Sequence, residues 1–146
     1  MSDTQPLILG TVPPVRLLLV DIHGKSRSSM RVLLDVLPGL TVVGETGEYK
    51  EALSLLTQLQ PDVVLISMRV QGSTGPETVR EILKLRPRTR IVFLTLFFDV
   101  EYVKSALAAG AHAYVLKHEP ASEVQKAIDM VVRGETYLSA GLDQPP

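Results

Sequence analysis

A chain of 146 residues with 45% hydrophobic and 21% charged side chains has the size and make-up of one globular domain with a real core. Its 15 Lys and Arg side chains stand against 16 Asp and Glu, so no global field draws it to nucleic acid or to an anionic membrane. The lack of cysteine excludes a disulfide framework, a thiolate metal site and a cysteine nucleophile, and is compatible with the cytoplasm.

Residues 1–14 read as a flexible leader. Leu7-Ile8-Leu9 is too short for a secretory signal or a membrane span and has no basic stretch before it. Pro13-Pro14 then stiffens the chain before the first strand. Val15 to Val20 is an apolar run without polar alternation, as expected of a strand buried on both faces. Met30, Leu33, Leu34 and Leu37 follow at helical spacing, and Pro38-Gly39 ends that helix. A second strand is expected from Leu40 to Val43, then a helix carrying Ala52, Leu55, Leu56 and Leu59, stopped before Pro61. Val63 to Ile66 gives a third buried strand. Val79, Ile82 and Leu85 mark the inner face of the next helix, stopped before Pro87, and Ile91 to Leu96 gives a fourth strand. A helix over about 100–109 ends at Gly110, a strand covers about 113–116, and a helix over about 121–132 ends at Gly134. Five β/α units predict an α/β, doubly wound parallel sheet with helices on both faces. The domain spans 15–139, and 140–146 reads as a linker or chain end. No stretch approaches eighteen consecutive apolar residues, so no membrane span is expected.

Ser67 is the most informative residue. It closes the apolar run Val63-Val64-Leu65-Ile66, and in an open α/β sheet ligands and reactive groups gather beyond the carboxyl ends of the strands. A hydroxyl there cannot do a carboxylate's work. His23, His112 and His118 share no metal-ligand spacing and read as structural. The basic stretch Lys84-Leu-Arg86-Pro-Arg88-Thr-Arg90 follows a helix, where cations favour the dipole, and is read as that in preference to a nucleic-acid patch. Phe97 and Phe98 are adjacent aromatics after the fourth strand. Either one of them is exposed for contact, or Phe97 packs over Tyr114 and caps the crevice.

Several segments, in order and spacing, resemble the receiver domains of bacterial response regulators, above all those of the NarL/FixJ class. They are Val15-Arg-Leu-Leu-Leu-Val-Asp21-Ile-His23, Pro61-Asp-Val-Val-Leu-Ile-Ser67, Leu94-Thr95, Glu101-Tyr102-Val103, Ala108-Ala-Gly110-Ala111, Tyr114-Val-Leu-Lys117 and Gly134-Glu-Thr-Tyr137-Leu-Ser139. The resemblance covers about Val15 to Ser139 and implies a flavodoxin-like fold, five strands in the order 2-1-3-4-5. It also implies an acidic pair after the first strand and an acceptor Asp after the third, holding Mg²⁺ between them. A Ser or Thr after the fourth strand and a Lys after the fifth complete the set.

Carried over position by position, Asp21 matches the first acid of the pair. Ile22 stands where the principal metal-binding acid belongs, and Ser67 stands at the acceptor Asp; Thr95 and Lys117 are retained. Mg²⁺ wants hard oxygen ligands, and a serine hydroxyl is a poor nucleophile without an activating base. Mg²⁺ binding and acyl-phosphate formation are therefore expected to be lost, leaving no cofactor. Leu96, where the family usually keeps a small residue, is expected to fill the pocket. A single inactivating exchange at Ser67 would leave position 22 acidic and position 96 small, so the three departures form one consistent set. Asp21 is the expected partner of Lys117, because an unpaired ammonium at a strand end is costly. Kinase phosphorylation of Ser67 would restore charge but is disfavoured by its recessed position. Tyr114 matches the family's switch aromatic.

The expected function is a phosphorylation-independent receiver, a pseudo-receiver without enzymatic activity, acting through protein contacts with an output domain, a kinase or a second copy. A homodimer is expected through the fourth helix, fifth strand and fifth helix, or through the first and fifth helices. The alternatives are a conventional phospho-accepting receiver with an unusual site and a stand-alone ligand-binding flavodoxin-like module. A small enzyme is disfavoured by the absence of a Walker loop, a dinucleotide fingerprint and a nucleophile-base pair. The family implies a DNA-binding helix-turn-helix beyond the receiver. Thr136 to Ser139 resembles the join to it, so the chain is expected to be the regulatory part of a transcriptional regulator that does not itself bind nucleic acid.

Overall fold

Alternate residues of the first strand, β1 (Val15–Val20), serve two separate cores. Leu18 and Val20 join one buried cluster and Leu17 and Leu19 the other, the two-residue period of an extended chain. The computed structural model describes residues 12–96 and 99–139. Strands β2 (Leu40–Thr46), β3 (Val63–Ile66), β6 (Arg90–Thr95), β7 (Ala113–Leu116) and β8 (Tyr137–Leu138) complete the sheet, and β4 (Arg69–Val70) pairs with β5 (Ser73–Thr74) in a small hairpin. The helices are α1 (Gly24–Asp35), α2 (Tyr49–Leu59), α3 (Gly75–Leu85), α4 (Val100–Ala109) and α5 (Ala121–Val132).

The sheet is parallel, in the order β2-β1-β3-β6-β7-β8. Its first five strands follow the expected flavodoxin-like order. The sixth, β8, lay outside the five-strand expectation because Tyr137 and Leu138 carry no apolar run of their own. They pair through the backbone of Ala113 and Tyr114.

Helices cover both faces. Ala52 and Leu56 of α2, Val79 and Ile82 of α3, and Ala106 and Ala109 of α4 pack with Leu18 and Val20. Leu34 of α1 and Val124, Ala127, Ile128 and Val131 of α5 pack with Leu17 and Leu19. Leu85 is a correction: expected on the inner face of α3, it is 55% exposed, because it falls on the last turn at the edge of the stripe centred on Val79 and Ile82. β2 runs three residues beyond the expected Val43, since the register shift between Leu17 and Leu18 lets Gly44, Glu45 and Thr46 continue the pairing.

The fourth strand is Arg90–Thr95, one residue earlier than expected, and Leu96 falls off its end. No helix among the described residues is long and apolar enough to cross a membrane.

Candidate functional site

The parallel register places four side chains together. Val20 pairs with Ile66, Ile66 with Phe93, and Thr95 with Leu116, so the residues that end or follow these strands emerge side by side at their carboxyl ends. They are Asp21, Ser67, Thr95 and Lys117. Asp21, Ser67 and Thr95 are each buried, at 6–7% exposure, as the recessed position expected for Ser67 requires.

Lys117 Nζ donates to Asp21 Oδ2 at 2.5 Å and to Ser26 Oγ at 2.7 Å. The expected Lys117–Asp21 pair is therefore formed, with side-chain exposures of 11% and 9%. Asp21 Oδ1 accepts the backbone N–H of His23 at 3.0 Å. Burial alone would raise the Asp21 pKa. The hydrogen bond from Lys117, the His23 N–H and the Lys117 charge together outweigh it and hold the carboxyl below its ordinary value.

Ser67 Oγ lies 2.8 Å from the carbonyl of Arg69 and 3.3 Å from Asp21 Oδ1. Its one proton goes best to the shorter contact. The same Arg69 carbonyl accepts the N–H of Ile22 at 3.2 Å, so the hydroxyl and the backbone after β1 both fasten the turn into β4. The Ile22 side chain is half-buried and offers no oxygen. Behind the crevice, Arg27 donates Nη1–H to the Asp21 carbonyl at 2.6 Å and Nε–H to Glu45 Oε1 at 2.9 Å, and Arg31 reaches Glu45 Oε2 at 2.7 Å. The Arg31 hydrogen bond leads the interactions that lower the Glu45 pKa, against a smaller opposing effect of burial.

Tyr114 is fully buried and stacks on Phe93, with ring centroids 6.2 Å apart. Burial pushes its hydroxyl pKa up to about 12, against the opposing effect of the nearby Thr95 side chain. Phe97 and Phe98 lie outside the described residues, so the proposed Phe97 cap over Tyr114 does too.

Leu96 does not fill the pocket, contrary to expectation. It is 56% exposed, because the strand stops at Thr95 and the chain bends. Leu96 instead forms part of the rim of an open cleft of about 180 Å³ with Asp21, Ser67, Thr95, Tyr102 and Lys117.

Could this crevice hold Mg²⁺? A hard dication needs several oxygen ligands, usually with more than one carboxylate. Asp21 is the carboxylate here, and its oxygens already accept from Lys117 and His23. Among the described residues no three acidic, imidazole or thiol groups converge as a metal site would require. The residues present do not fit the ion.

Sequence reasoning placed Asp21, Ser67, Thr95 and Lys117 together. It missed Ser26, Arg27 and Glu45. The four-residue spacing of Arg27 and Arg31, which puts both on one face of α1, was the available signal. His112 is structural, as expected: its Nδ1 accepts the N–H of Ile91 at 3.0 Å.

The family model for the response regulator receiver domain matches residues 17–129. The chain is 32% identical over 126 residues to the transcriptional regulatory protein LiaR of Bacillus subtilis (strain 168), covering 86% of this chain and 60% of that protein. It is also 32% identical over 129 residues to the nitrate/nitrite response regulator protein NarL of Escherichia coli (strain K12), covering 88% and 60%. The chain thus spans about 60% of the length of these curated relatives. Among solved structures, a LuxR-family two-component response regulator from Aurantimonas sp. SI85-9A1 superposes with a TM-score of 0.84 at 30% identity, covering 90% of this chain and 94% of that one. The signal receiver domain of a NarL response regulator from Mycobacterium tuberculosis gives 0.79 at 27% identity, covering 85% and 100%.

Proposed function

This chain belongs to the response regulator receiver domain family, and we propose that it is a pseudo-receiver, a non-enzymatic regulatory module that works without phosphorylation and without Mg²⁺. One observation carries the reading. At the carboxyl end of β3, Ser67 spends its hydroxyl proton on the Arg69 carbonyl, while the neighbouring carboxylate, Asp21, is neutralised by Lys117.

An acyl phosphate needs a carboxylate nucleophile and cations to gather the transferred charge. Here the nucleophile is a tethered hydroxyl, and the cation is engaged by an internal anion. The signal would then pass through protein contacts with an output domain, a kinase or a second copy. Val32 on α1, Val36 just beyond its end and Val132 at the end of α5 are exposed apolar side chains, and they support a homodimer through those helices. Because the relatives LiaR and NarL are a transcriptional regulatory protein and a response regulator, we assign the chain to the regulatory part of a transcriptional regulator in the cytoplasm. DNA contact would fall to a part beyond this chain.

The test is titration with Mg²⁺ and beryllofluoride, followed by backbone amide NMR on the wild type and on an Ile22→Asp/Ser67→Asp variant. The wild-type amides of Thr95, Tyr114 and Lys117 should stay in place. Saturable shifts there would restore the conventional phospho-accepting reading. A response confined to the double variant would show an intact scaffold from which only the chemistry has been removed.

A further inference from the structure

At the opposite end of the sheet from the Asp21–Lys117 crevice, the amino ends of β1, β3 and β6 border a second and larger cleft, of about 550 Å³. Arg86, Arg88 and Arg90 line it, together with Asp62, the Pro13-Pro14 segment and Val132. The receiver chemistry makes no use of this face.

Three features set these arginines apart from an ordinary solvated helix end. Lys84, two residues before Arg86, is ion-paired with Glu81 at 3.1 Å, whereas among the described residues none of Arg86, Arg88 and Arg90 has a carboxylate within ion-pair distance. The Nε of Arg86 is buried and has no acceptor, and a buried donor without a partner is rare enough to require an explanation. Thr89, between two of the arginines and 1% exposed, also has a buried hydroxyl without a partner. Among the described residues the acid on the cleft is Asp62, whose Oδ2 is engaged by the backbone N–H of Arg16 at 2.9 Å.

Guanidinium forks match phosphate oxygens in pairs, and three unpaired forks around one cleft favour an anion of more than one charge. The proline and valine walls give that anion an apolar neighbour. A cleft of this volume lies in the range that takes a drug-sized or cofactor-sized molecule. We propose that this cleft binds a di- or triphosphate group, with Arg86, Arg88 and Arg90 on the phosphates and the Pro13, Pro14 and Val132 side against the rest of the ligand. The phosphate could belong to a nucleotide or to inorganic polyphosphate.

The experiment is NMR titration of the full chain with ATP and, separately, with pyrophosphate, without Mg²⁺, reading backbone amides and the arginine Nε–Hε signals. Saturable shifts are expected at Arg86 Nε–Hε and at the amides of Arg88, Arg90 and Val132, with Lys117 and Ser67 unmoved. An Arg88→Ser/Arg90→Ser variant should bind at least about tenfold more weakly, each fork removed taking two charge-assisted hydrogen bonds with it. The exposed Arg88→Glu exchange checks the same loss should the double variant fold poorly. Tighter binding of ATP than of pyrophosphate would identify the ligand as a nucleotide, and equal binding would identify it as polyphosphate. Either result supports the site. Absence of saturable shifts, shifts confined to the Asp21 crevice, or unchanged affinity in the variants would overturn it. So would salt-sensitive binding of a short DNA duplex that ATP does not displace.

Discussion

Replacing Lys117 by Met would strip a carboxylate with 9% side-chain exposure of its counter-charge. Removing one member of a buried ion pair costs about 3–5 kcal/mol, because the remaining charge stays desolvated, and Lys117→Met is expected to lose that much by urea denaturation. Asp21 and His112 both have lowered folded pKa values, and each contributes to the acid response of the protein. Asp21 is held below 3.8, so its stabilisation is complete above that value and disappears as pH falls through the folded pKa. His112 is lowered from 6.5 first by burial and then by the Arg90 charge, and its Nδ1 must remain unprotonated to accept the Ile91 N–H. When pH falls through about 6.5, the unfolded chain takes up a proton there and the folded chain does not, so stability declines. Urea midpoints measured between about pH 7 and pH 5 should fall for the wild type and fall less for His112→Asn, and equal slopes would refute the assignment. Of these residues, Lys117 and Asp21 were legible in the sequence because their roles attach to strand ends. Ser26 was not, because only the fold of α1 over the crevice brings its hydroxyl to the ammonium.

The start of α3 is held against the site by a missing side chain. A Cβ on Gly75 would stand 2.3 Å from the Ser67 carbonyl oxygen and 2.8 Å from the Phe93 ring, neither of which can give way cheaply. Gly75→Ala should therefore destabilise by about 1–3 kcal/mol, the usual cost of overpacking, and disturb the Ser67 amide in an NMR spectrum. A stable variant with an unmoved Ser67 amide would show that the approach is not tight. The helices and long strands could be read from apolar period and from proline and glycine stops. The hairpin of β4 and β5 could not, since two-residue strands carry no periodicity. They exist because Gln71 bonds with Gly47 of the neighbouring loop and with Tyr49 at the start of α2. For the same reason Leu96 was misread: an apolar residue contiguous with a strand looks buried until the bend after Thr95 turns it outward.

At the scale of the whole molecule, the described residues form two buried clusters separated by one sheet, and every central strand contributes to both. They should melt as a single unit. Leu18→Ala in one cluster and Leu17→Ala in the other are each expected to cost about 2–5 kcal/mol while leaving one cooperative transition with coincident near-UV and far-UV circular dichroism. Separate transitions would mean that the helical layers are independent. By itself the sequence determined the class of fold, the order of its principal elements and the identity of the four crevice residues, because apolar period, helix stops and motif spacing are local and survive in one dimension. The tertiary structure decided what those residues do to one another. It engaged the Asp21 carboxylate with Lys117 and the Ser67 proton with Arg69, opened the cleft beside Leu96, and left three arginines at the far end of the sheet without an acidic partner among the described residues. Such pairings depend on distances between residues far apart in the chain, and those distances are set only when the strands come into register.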